Sequence, residues 1–174
     1  MISHIEEDIS ENEPAPSAAH GGEPLGDSTW QVIRLHHVAF AHQGEGPPQV
    51  IGDLLGLVCT HEQHAAGFVE RMLPAGDSYL QLLEATGPGT VARFLDRRGP
   101  ALHHVAMEVS DIDEAVSDLR RRGVRMVDET PRPGGMGTRI AFVHPASCQG
   151  LLLELVEPSG AGASGAQVPA TWRS

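Results

Sequence analysis

This sequence of 174 residues contains no lysine, and its positive side chains are 12 arginines. Lysine Schiff-base chemistry is therefore excluded, and guanidinium groups are the only fixed cations available to an anionic ligand. Cysteine is scarce as well. Cys59 and Cys148 form neither a CxxC motif nor a zinc-type cluster, so we expect two ordinary reduced thiols.

The sequence also has no long apolar run and no excess of positive charge. No apolar stretch approaches the roughly 20 residues that span a bilayer, so no membrane association is expected. The formal net charge of -11 speaks against nucleic acid as a partner, because nucleic-acid-binding proteins need a basic surface. The first residues are acidic and proline-rich and do not resemble a secretory signal. We therefore expect a cytoplasmic protein.

Large apolar side chains are scarce at both ends of the chain. Residues 1–31 are rich in Glu, Ser, Pro and Gly, and residues 159–174 have the same character. Such segments cannot bury enough apolar surface to order themselves. We therefore expect an acidic disordered tail over 1–31, a folded domain over 32–158 and a flexible C-terminal tail over 159–174.

The folded part contains an internal repeat. The pentapeptide LHHVA occurs at Leu35–Ala39 and again at Leu102–Ala106. Each half then ends in a strand with one polar residue among apolar ones, YLQLLEA in the first half and LLLELVEP in the second. Two copies of one supersecondary unit explain this pattern. We expect one module over about 32–98 and a second over about 100–158.

The second module shows the order of its elements most clearly. After a strand at Leu102–Val109, the segment SDIDEAVSDLRRRG predicts a helix with Asp111 and Glu114 as a capping box and Gly123 as its C-terminal stop. The runs VRMVDE, RIAFVHP and LLLELVE then predict three strands. In the first module, Gly and Pro in the helix position leave only a short helix that ends near Gly56. TVARFLDRRG predicts a further helix between the modules.

The paired histidines of LHHVA allow two interpretations. Alternate side chains of a strand share a face, so His36 and His37 are expected on opposite faces, as are His103 and His104. One member of each pair could line a cavity, but a histidine in such a strand could equally be a hydrogen-bonded core residue. The alternation alone leaves the choice open.

Two polar residues in the closing strands favour the cavity. Glu154 stands in LLLELV, so its carboxylate is expected to be buried, and a buried carboxylate needs a cation. With no lysine in the chain, an arginine or a metal ion could supply the charge. Gln81 occupies the equivalent place in the first module. Two imidazoles, an amide oxygen and a carboxylate, contributed pairwise by repeated strands, make a coherent metal site.

Four short elements together carry a family resemblance: ALHHVA, DETPRPG, AFVHP and LELVE. With them, the region from Leu35 to Pro158 resembles the vicinal oxygen chelate superfamily and, within it, the methylmalonyl-CoA epimerase group. The resemblance implies an α+β fold in which two βαβββ modules form a mixed, curved eight-stranded sheet around a metal-binding cavity. It also implies a homodimer.

The resemblance assigns roles position by position. It implies four ligands of a divalent metal ion: His37, Gln81, His104 and Glu154. His36 and His103 are left as packing residues or as supports of the ligands. Cobalt, manganese, nickel and zinc all suit this ligand set. The resemblance also makes Glu70, in FVERMLP, and Glu154 the catalytic residues.

The implied reaction is the epimerisation of 2-methylmalonyl-CoA, in which the proton between a thioester and a carboxylate is removed and returned to the opposite face. A metal ion would stabilise the charge that develops, and two bases on opposite faces are needed. Candidate contacts for the phosphates of the acyl-CoA are Arg97, Arg132 and Arg139, with Arg93 and Arg98 as further arginines nearby in sequence. The glycine loop RPGGMG is expected to cover the substrate.

Two other functions remain open. A glyoxalase I-like lyase would use a similar ligand set on a glutathione hemithioacetal, although PRPGG and FVHP favour the epimerase. A metal-free small-molecule binding protein of the same superfamily would surround its ligand with aromatic side chains, and an aromatic content of 4% equips this chain poorly for that role. Purified protein that carries no divalent metal would favour the binding protein.

Overall fold

The computed structural model describes residues 29–44 and 52–159. The two predicted tails therefore lie outside the described residues, except for 29–31 and 159. Trp30 corrects the expected boundary at residue 31, because its side chain is buried in an apolar cluster and its Nε1 donates a hydrogen bond to Asp118 Oδ2 at 3.1 Å. The packed part of the chain thus includes Trp30.

The described residues form eight strands and three helices. In chain order they are β1 (Val32–Gln43), α1 (described over 52–55), β2 (His61–Ala65), β3 (Phe68–Ala75), β4 (Ser78–Ala85), α2 (Thr90–Arg98), β5 (Ala101–Val109), α3 (Ile112–Arg121), β6 (Arg132–Pro133), β7 (Thr138–Val143) and β8 (Leu153–Pro158). As predicted, α1 ends near Gly56, whose φ is 68°, and the Gly/Pro stretch before it lies outside the described residues. None of these helices is both long enough and apolar enough to cross a membrane.

All eight strands belong to one sheet in the order β2-β3-β4-β1-β5-β8-β7-β6. Within each module the first and last strands pair in parallel, β1 with β4 and β5 with β8. The modules meet at a seam where β1 pairs antiparallel with β5. Read outward from this seam, both halves have the same strand order. The predicted fold class, two βαβββ modules in a mixed, curved eight-stranded sheet, is confirmed.

Helix α3 begins and ends where its sequence predicts. Asp111 Oδ1 accepts a hydrogen bond from the Glu114 N–H at 2.9 Å, which satisfies one of the open donors of the first turn. Gly123 has a φ of 79° just after the helix. The apolar side of α3, including Ile112 and Val116, packs on one face of the sheet against β5, β7 and β8.

Helix α2 packs on the other face of the sheet. Val91 and Leu95 contact Ala39 and Ala41 of β1 and Leu83 of β4. This is the face on which the predicted ligand residues lie, so α2 forms one end wall of the cavity above them.

One predicted strand, VRMVDE, does not form. In residues 124–129 the described pairing is an isolated bridge between Met126 and Val143. The Asp128 carboxylate accepts a hydrogen bond from the Phe142 N–H at 2.9 Å. In a regular strand pair, a backbone carbonyl would accept that hydrogen bond. The outer strand β6 has only two residues and ends at Pro133, which has no N–H to donate.

Candidate active site

The four predicted metal ligands lie in neighbouring rows of the sheet: His37, Gln81, His104 and Glu154. In one row, Ala39 pairs with Gln81 on one side and with His104 on the other. In the next row, Ala106 pairs with His37 and with Glu154. Both alanines have 0% exposed surface. Small side chains at the centre thus leave room for four polar side chains, two from each module.

Three of the four have ligand atoms in mutual contact. His37 Nε2 and His104 Nε2 are 2.9 Å apart, and each lies 3.1 Å from Glu154 Oε2. Donor atoms that bind one ion from about 2.1 Å, at right angles to each other, are about 3 Å apart. All three side chains are buried, and Glu154 Oε2 faces both imidazole Nε2 atoms. This spacing and this donor set fit a divalent metal ion.

The charge state of the cluster also suits a cation. Burial lowers the pKa of His104 more than Glu154 raises it, so this imidazole is neutral at pH 7. Burial alone would raise the pKa of Glu154, but its contacts with His104 and His37 outweigh burial and hold the pKa below its ordinary value. Glu154 is therefore an ionised carboxylate beside a neutral imidazole, the state in which both groups can bind metal.

Gln81, the fourth predicted ligand, is oriented by Glu70. Gln81 Nε2 donates a hydrogen bond to Glu70 Oε2 at 3.3 Å. Gln81 Oε1 is buried and has no hydrogen-bond partner among the residues that the structure describes. A buried carbonyl oxygen without a partner costs free energy unless another group meets it. The amide thus presents the atom that a divalent cation would bind.

Each HH pair lies at a β-bulge, which corrects the expectation that its two members face opposite sides. The pairing of β1 with β5 has three irregularities, two of which skip a histidine, His36 on β1 and His103 on β5. A bulge interrupts the alternation of side chains. As a result, His36 and His103 line the same cavity as His37 and His104. Neither pair is flanked by a glycine or proline that would have indicated a bulge.

His36 and His103 contact the two ligand histidines directly. Their Nδ1 atoms lie 2.8 Å and 2.9 Å from the Nδ1 atoms of His37 and His104, respectively. Burial lowers the pKa of His36 to about 4 and that of His103 to about 3, so both rings are neutral at pH 7. A hydrogen bond at Nδ1 fixes the tautomer of a ligand histidine and leaves its Nε2 for the ion.

Glu70 lies beside the cluster and breaks the symmetry of the two modules. Glu70 pairs with Leu83, and at the equivalent place in the second module Ile140 pairs with Val156. Burial, together with the negative charge of Glu154, raises the pKa of Glu70. One module therefore supplies a carboxyl group of increased basicity where the other supplies a hydrocarbon.

All of these side chains line one cavity of about 1110 Å³. Of the predicted phosphate contacts, Arg97 and Arg132 belong to its wall, and so does Arg98. The glycine loop RPGGMG, residues 132–137, also contributes to the wall through residues 132–136. The cavity is large enough for the acyl end of a thioester and part of its carrier.

Arg139, the third predicted phosphate contact, does not line the cavity. Its guanidinium pairs with Asp113 at 2.7 Å and with Glu157 at 3.1 Å. Its neighbours in β7, Thr138 and Ile140, line the cavity, so the alternation of the strand turns Arg139 to the opposite face. Arg93 does not line the cavity either.

Phe142 also lines the cavity, although nothing in the sequence singles it out as a site residue. Its ring stands perpendicular to that of His104, with the ring centroids 5.4 Å apart, and the Arg132 guanidinium lies 5.6 Å from its centroid. Phe142 thus packs a ligand histidine and a cavity arginine together. Only the alternation of RIAFVHP could have placed it on the cavity face, and that pattern does not indicate a functional role.

Three relatives show what the chain resembles as a whole. It is 30% identical over 146 residues to the mitochondrial methylmalonyl-CoA epimerase of Bos taurus. The alignment covers 80% of this chain and 82% of the bovine protein. The crystal structure of methylmalonyl-CoA epimerase from Mycobacterium tuberculosis superposes with a TM-score of 0.67 at 37% identity, covering 74% of this chain and 90% of that one. A methylmalonyl-CoA epimerase in complex with methylmalonyl-CoA and NH4+ superposes with a TM-score of 0.69 at 34% identity, covering 75% and 97%.

The family assignment rests on the sequence as well as on the fold. The sequence model described as the glyoxalase/bleomycin resistance protein/dioxygenase superfamily matches residues 36–142, which include three of the four ligand positions and Glu70. This match covers more than half of the chain. The protein therefore belongs to the glyoxalase/bleomycin resistance protein/dioxygenase superfamily.

Proposed function

We propose that this protein catalyses the epimerisation of methylmalonyl-CoA. The observation that carries the proposal is that Glu70, a carboxyl group with a raised pKa, faces the same cavity as the cluster of His37, His104 and Glu154. The relatives that are named methylmalonyl-CoA epimerases support the same reaction.

A divalent metal ion would be held by the four predicted ligands: His37, Gln81, His104 and Glu154. Two observations support this assignment: Gln81 Oε1 is buried without a hydrogen-bond partner among the described residues, and Glu154 Oε2 lies 3.1 Å from the Nε2 atoms of His37 and His104. When bound, the ion would supply Lewis-acid stabilisation of the negative charge that forms on the substrate as the proton leaves. Cobalt, manganese, nickel and zinc all suit two imidazoles and two oxygen ligands. Metal analysis of the purified protein by mass spectrometry identifies which one is present.

Glu70 would remove and return the proton on one face of the substrate. Its raised pKa makes it a stronger base than an ordinary carboxylate, and its Oε1 has no hydrogen-bond partner among the described residues. Glu154, from the second module, would serve the opposite face. Because its pKa is lowered, Glu154 would be the weaker base, so proton removal by Glu154 would be the harder of the two directions.

Arg97 and Arg132 would contact phosphate groups of coenzyme A. Arg132 is held at the cavity wall by a 2.9 Å ion pair with Asp128. We expect Arg132→Ala to raise KM for the thioester about 10-fold with little change in kcat, since one charge-assisted hydrogen bond is lost. Arg139→Ala is the matched control, because Arg139 pairs with Asp113 away from the cavity and its loss should leave KM unchanged. Steady-state kinetics of both variants test the assignment.

A deuterium-exchange experiment tests the reaction itself. Metal-loaded protein is incubated with methylmalonyl-CoA in heavy water, and deuterium at carbon 2 is followed by mass spectrometry, with metal-free protein as the control. Incorporation above the control is the expected result, and its absence would exclude the epimerase. A parallel assay with a glutathione hemithioacetal distinguishes a glyoxalase I-like lyase, which would convert that compound instead.

The homodimer, the cytoplasmic location and the absence of nucleic-acid and membrane partners stay predictions. So do the two tails, now bounded at their inner ends by Trp30 and by the end of β8. Light scattering coupled to gel filtration measures the oligomeric state. Limited proteolysis, which cleaves unstructured segments first, measures the extent of the tails.

A further inference from the structure

The glycine loop lies directly against Glu70. A Cβ atom added to Gly135 would lie 2.2 Å from Glu70 Oε1 and 3.1 Å from the carboxyl carbon of Glu70. No side-chain carbon approaches an oxygen to 2.2 Å without a bond, so Glu70 can occupy its place only while position 135 has no side chain. Gly135 is not among the glycines with positive φ, so the need for glycine here comes from space and not from backbone conformation.

The two carboxylate oxygens of Glu70 have different neighbours, which together restrict the position of the carboxylate. Oε2 accepts the 3.3 Å hydrogen bond from Gln81, which is longer than the usual distance for such a bond and holds the carboxylate only weakly. Oε1 lies beside Gly135 and has no hydrogen-bond partner among the described residues. The backbone of the glycine loop is therefore a second boundary for the carboxylate, supplied by the second module to a base from the first.

We propose that Gly135 is a positioning residue for Glu70. By lacking a side chain, it lets the Glu70 carboxylate stay in contact with Gln81 and so face the metal cluster. The inference rests on the proposed function, because it concerns the base of that reaction. It adds one requirement for activity beyond the four predicted ligands and Glu70 itself: the glycine loop must leave room for the Glu70 carboxylate.

The chain should tolerate an alanine at this position while Glu70 moves. The atoms in the way are at the end of a flexible side chain held by one long hydrogen bond, so a shift of the carboxylate relieves the contact at little cost. Gly134 differs, because a Cβ there would lie 2.5 Å from Ile140 Cγ2 and 2.6 Å from Thr138 Oγ1, away from Glu70. Gly137 differs again, since a Cβ there would meet nothing within 4 Å although its φ is 70°.

The first test compares Gly135→Ala with Gly137→Ala in the full-length, metal-loaded protein. We expect Gly135→Ala to lower kcat about 10- to 100-fold, the loss that a displacement of about 1 Å causes in a catalytic group. KM and metal content should change little. Gly137→Ala is the control, because Gly137 does not line the cavity and a Cβ there would meet nothing within 4 Å, so kcat should be kept while its strained φ lowers the thermal midpoint. Equal kcat values for Gly135→Ala and wild type would overturn the proposal.

A double-mutant cycle separates positioning from general damage to the loop. Glu70→Asp shortens the side chain by one methylene, so the carboxylate no longer reaches position 135. Gly135→Ala should therefore lower kcat much less in the Glu70→Asp background than in the wild-type background. An equal loss in both backgrounds would mean that the loop acts independently of Glu70 and would contradict the proposal.

A crystal structure of Gly135→Ala gives a readout that does not depend on activity. The Glu70 carboxylate should move away from Gln81 Nε2, beyond the limit of about 3.5 Å for a hydrogen bond, while the cluster of His37, His104 and Glu154 keeps its spacing. An unmoved carboxylate would overturn the inference. If wild-type protein exchanges no deuterium into methylmalonyl-CoA but the carboxylate moves as expected, the proposed function fails and the steric coupling of Gly135 to Glu70 stands.

Discussion

At the scale of single residues, the cavity holds two carboxylates with opposite properties. Burial and the charge of Glu154 raise the pKa of Glu70, whereas imidazole contacts lower that of Glu154. Separating the pKa values of two acids in one site is a common way to give them different tasks. Glu70 is thereby suited to exchange a proton and Glu154 to bind a cation.

Substitutions should separate these two tasks. Glu70→Gln removes the base but keeps the size of the side chain, so we expect turnover to fall about 10²- to 10⁴-fold with the metal still bound. His104→Ala removes a ligand from the cluster, so the metal should be lost together with the activity. Metal content and initial rate, measured on the same preparations, check both expectations. Loss of metal from Glu70→Gln would mean that Glu70 is itself a ligand.

The histidine that supports His104 should matter for affinity. His103→Ala removes the group that lies 2.9 Å from His104 Nδ1, and loss of such a contact lowers metal affinity about 10- to 100-fold. Competition with a chromogenic chelator measures the affinity. His64→Ala is the control, since His64 is 75% exposed and contacts Glu62 on the outer strand β2. Equal affinities for the two variants would assign His103 to packing alone.

At the scale of secondary-structure elements, the seam between β1 and β5 determines whether the site forms. Its two central alanines separate the ligands within each row of the sheet, with Ala39 between Gln81 and His104. Ala106 separates His37 from Glu154 in the same way. In each row, a single methyl group is thus the side chain between the two predicted ligands.

A larger side chain at this seam should weaken metal binding. Ala106→Val adds two methyl groups between His37 and Glu154, so we expect a loss of about 1–3 kcal/mol in stability together with lower metal affinity. Ala141→Val is the matched control, because Ala141 is equally buried in β7 but packs in the cluster with α3 on the other face. Its stability should fall by a similar amount while its metal affinity stays. Denaturant titration and chelator competition measure the two quantities.

The order of the elements could be predicted from the sequence because it depends on local signals. The repeat of LHHVA, the capping pair Asp111 and Glu114, and the stop at Gly123 all act within a few residues. The bulges at His36 and His103 could not be predicted, because they arise from the pairing of two strands distant in sequence. The same holds for VRMVDE, where the Asp128 side chain replaces the expected ladder.

The cluster of His37, His104 and Glu154 could be predicted more completely than the cavity around it. A single polar residue within an apolar strand, such as Glu154, is visible in the sequence because burial makes it costly. The outward direction of Arg139 depends on the alternation of β7 and on its partners Asp113 and Glu157. The contact between Gly135 and Glu70 joins two modules and leaves no pattern in either.

At the scale of the whole molecule, the metal-free protein should lose stability as the pH falls below 6.5. In the folded state the pKa of His36 is about 4 and that of His103 about 3, whereas the ordinary pKa of histidine is about 6.5. Between these values the unfolded chain binds more protons than the folded one, so protonation favours unfolding. The lowered pKa of Glu154 acts in the same direction only below the ordinary glutamate pKa of about 4.5.

Because His103 is buried as a neutral ring, this residue alone should lower the free energy of unfolding by about 2 kcal/mol at pH 5 relative to pH 7. Thermal unfolding of the metal-free protein, followed by circular dichroism at both pH values, measures this loss. His103→Gln, which cannot be protonated, should show a smaller difference between the two midpoints. Identical midpoints for the wild type at pH 5 and pH 7 would contradict the expectation.

The division of the ligands between the modules links metal binding to the joining of the two halves. Each module contributes one histidine from its first strand and one oxygen ligand from its last, so neither half alone has more than two of the four. An ion bound by all four would act as a cross-link across the β1–β5 seam, and its binding free energy would add to the free energy that keeps the halves together. A chelator would then act as a mild denaturant of this one strand pairing, and faster amide hydrogen exchange along β1 and β5 would be its first sign.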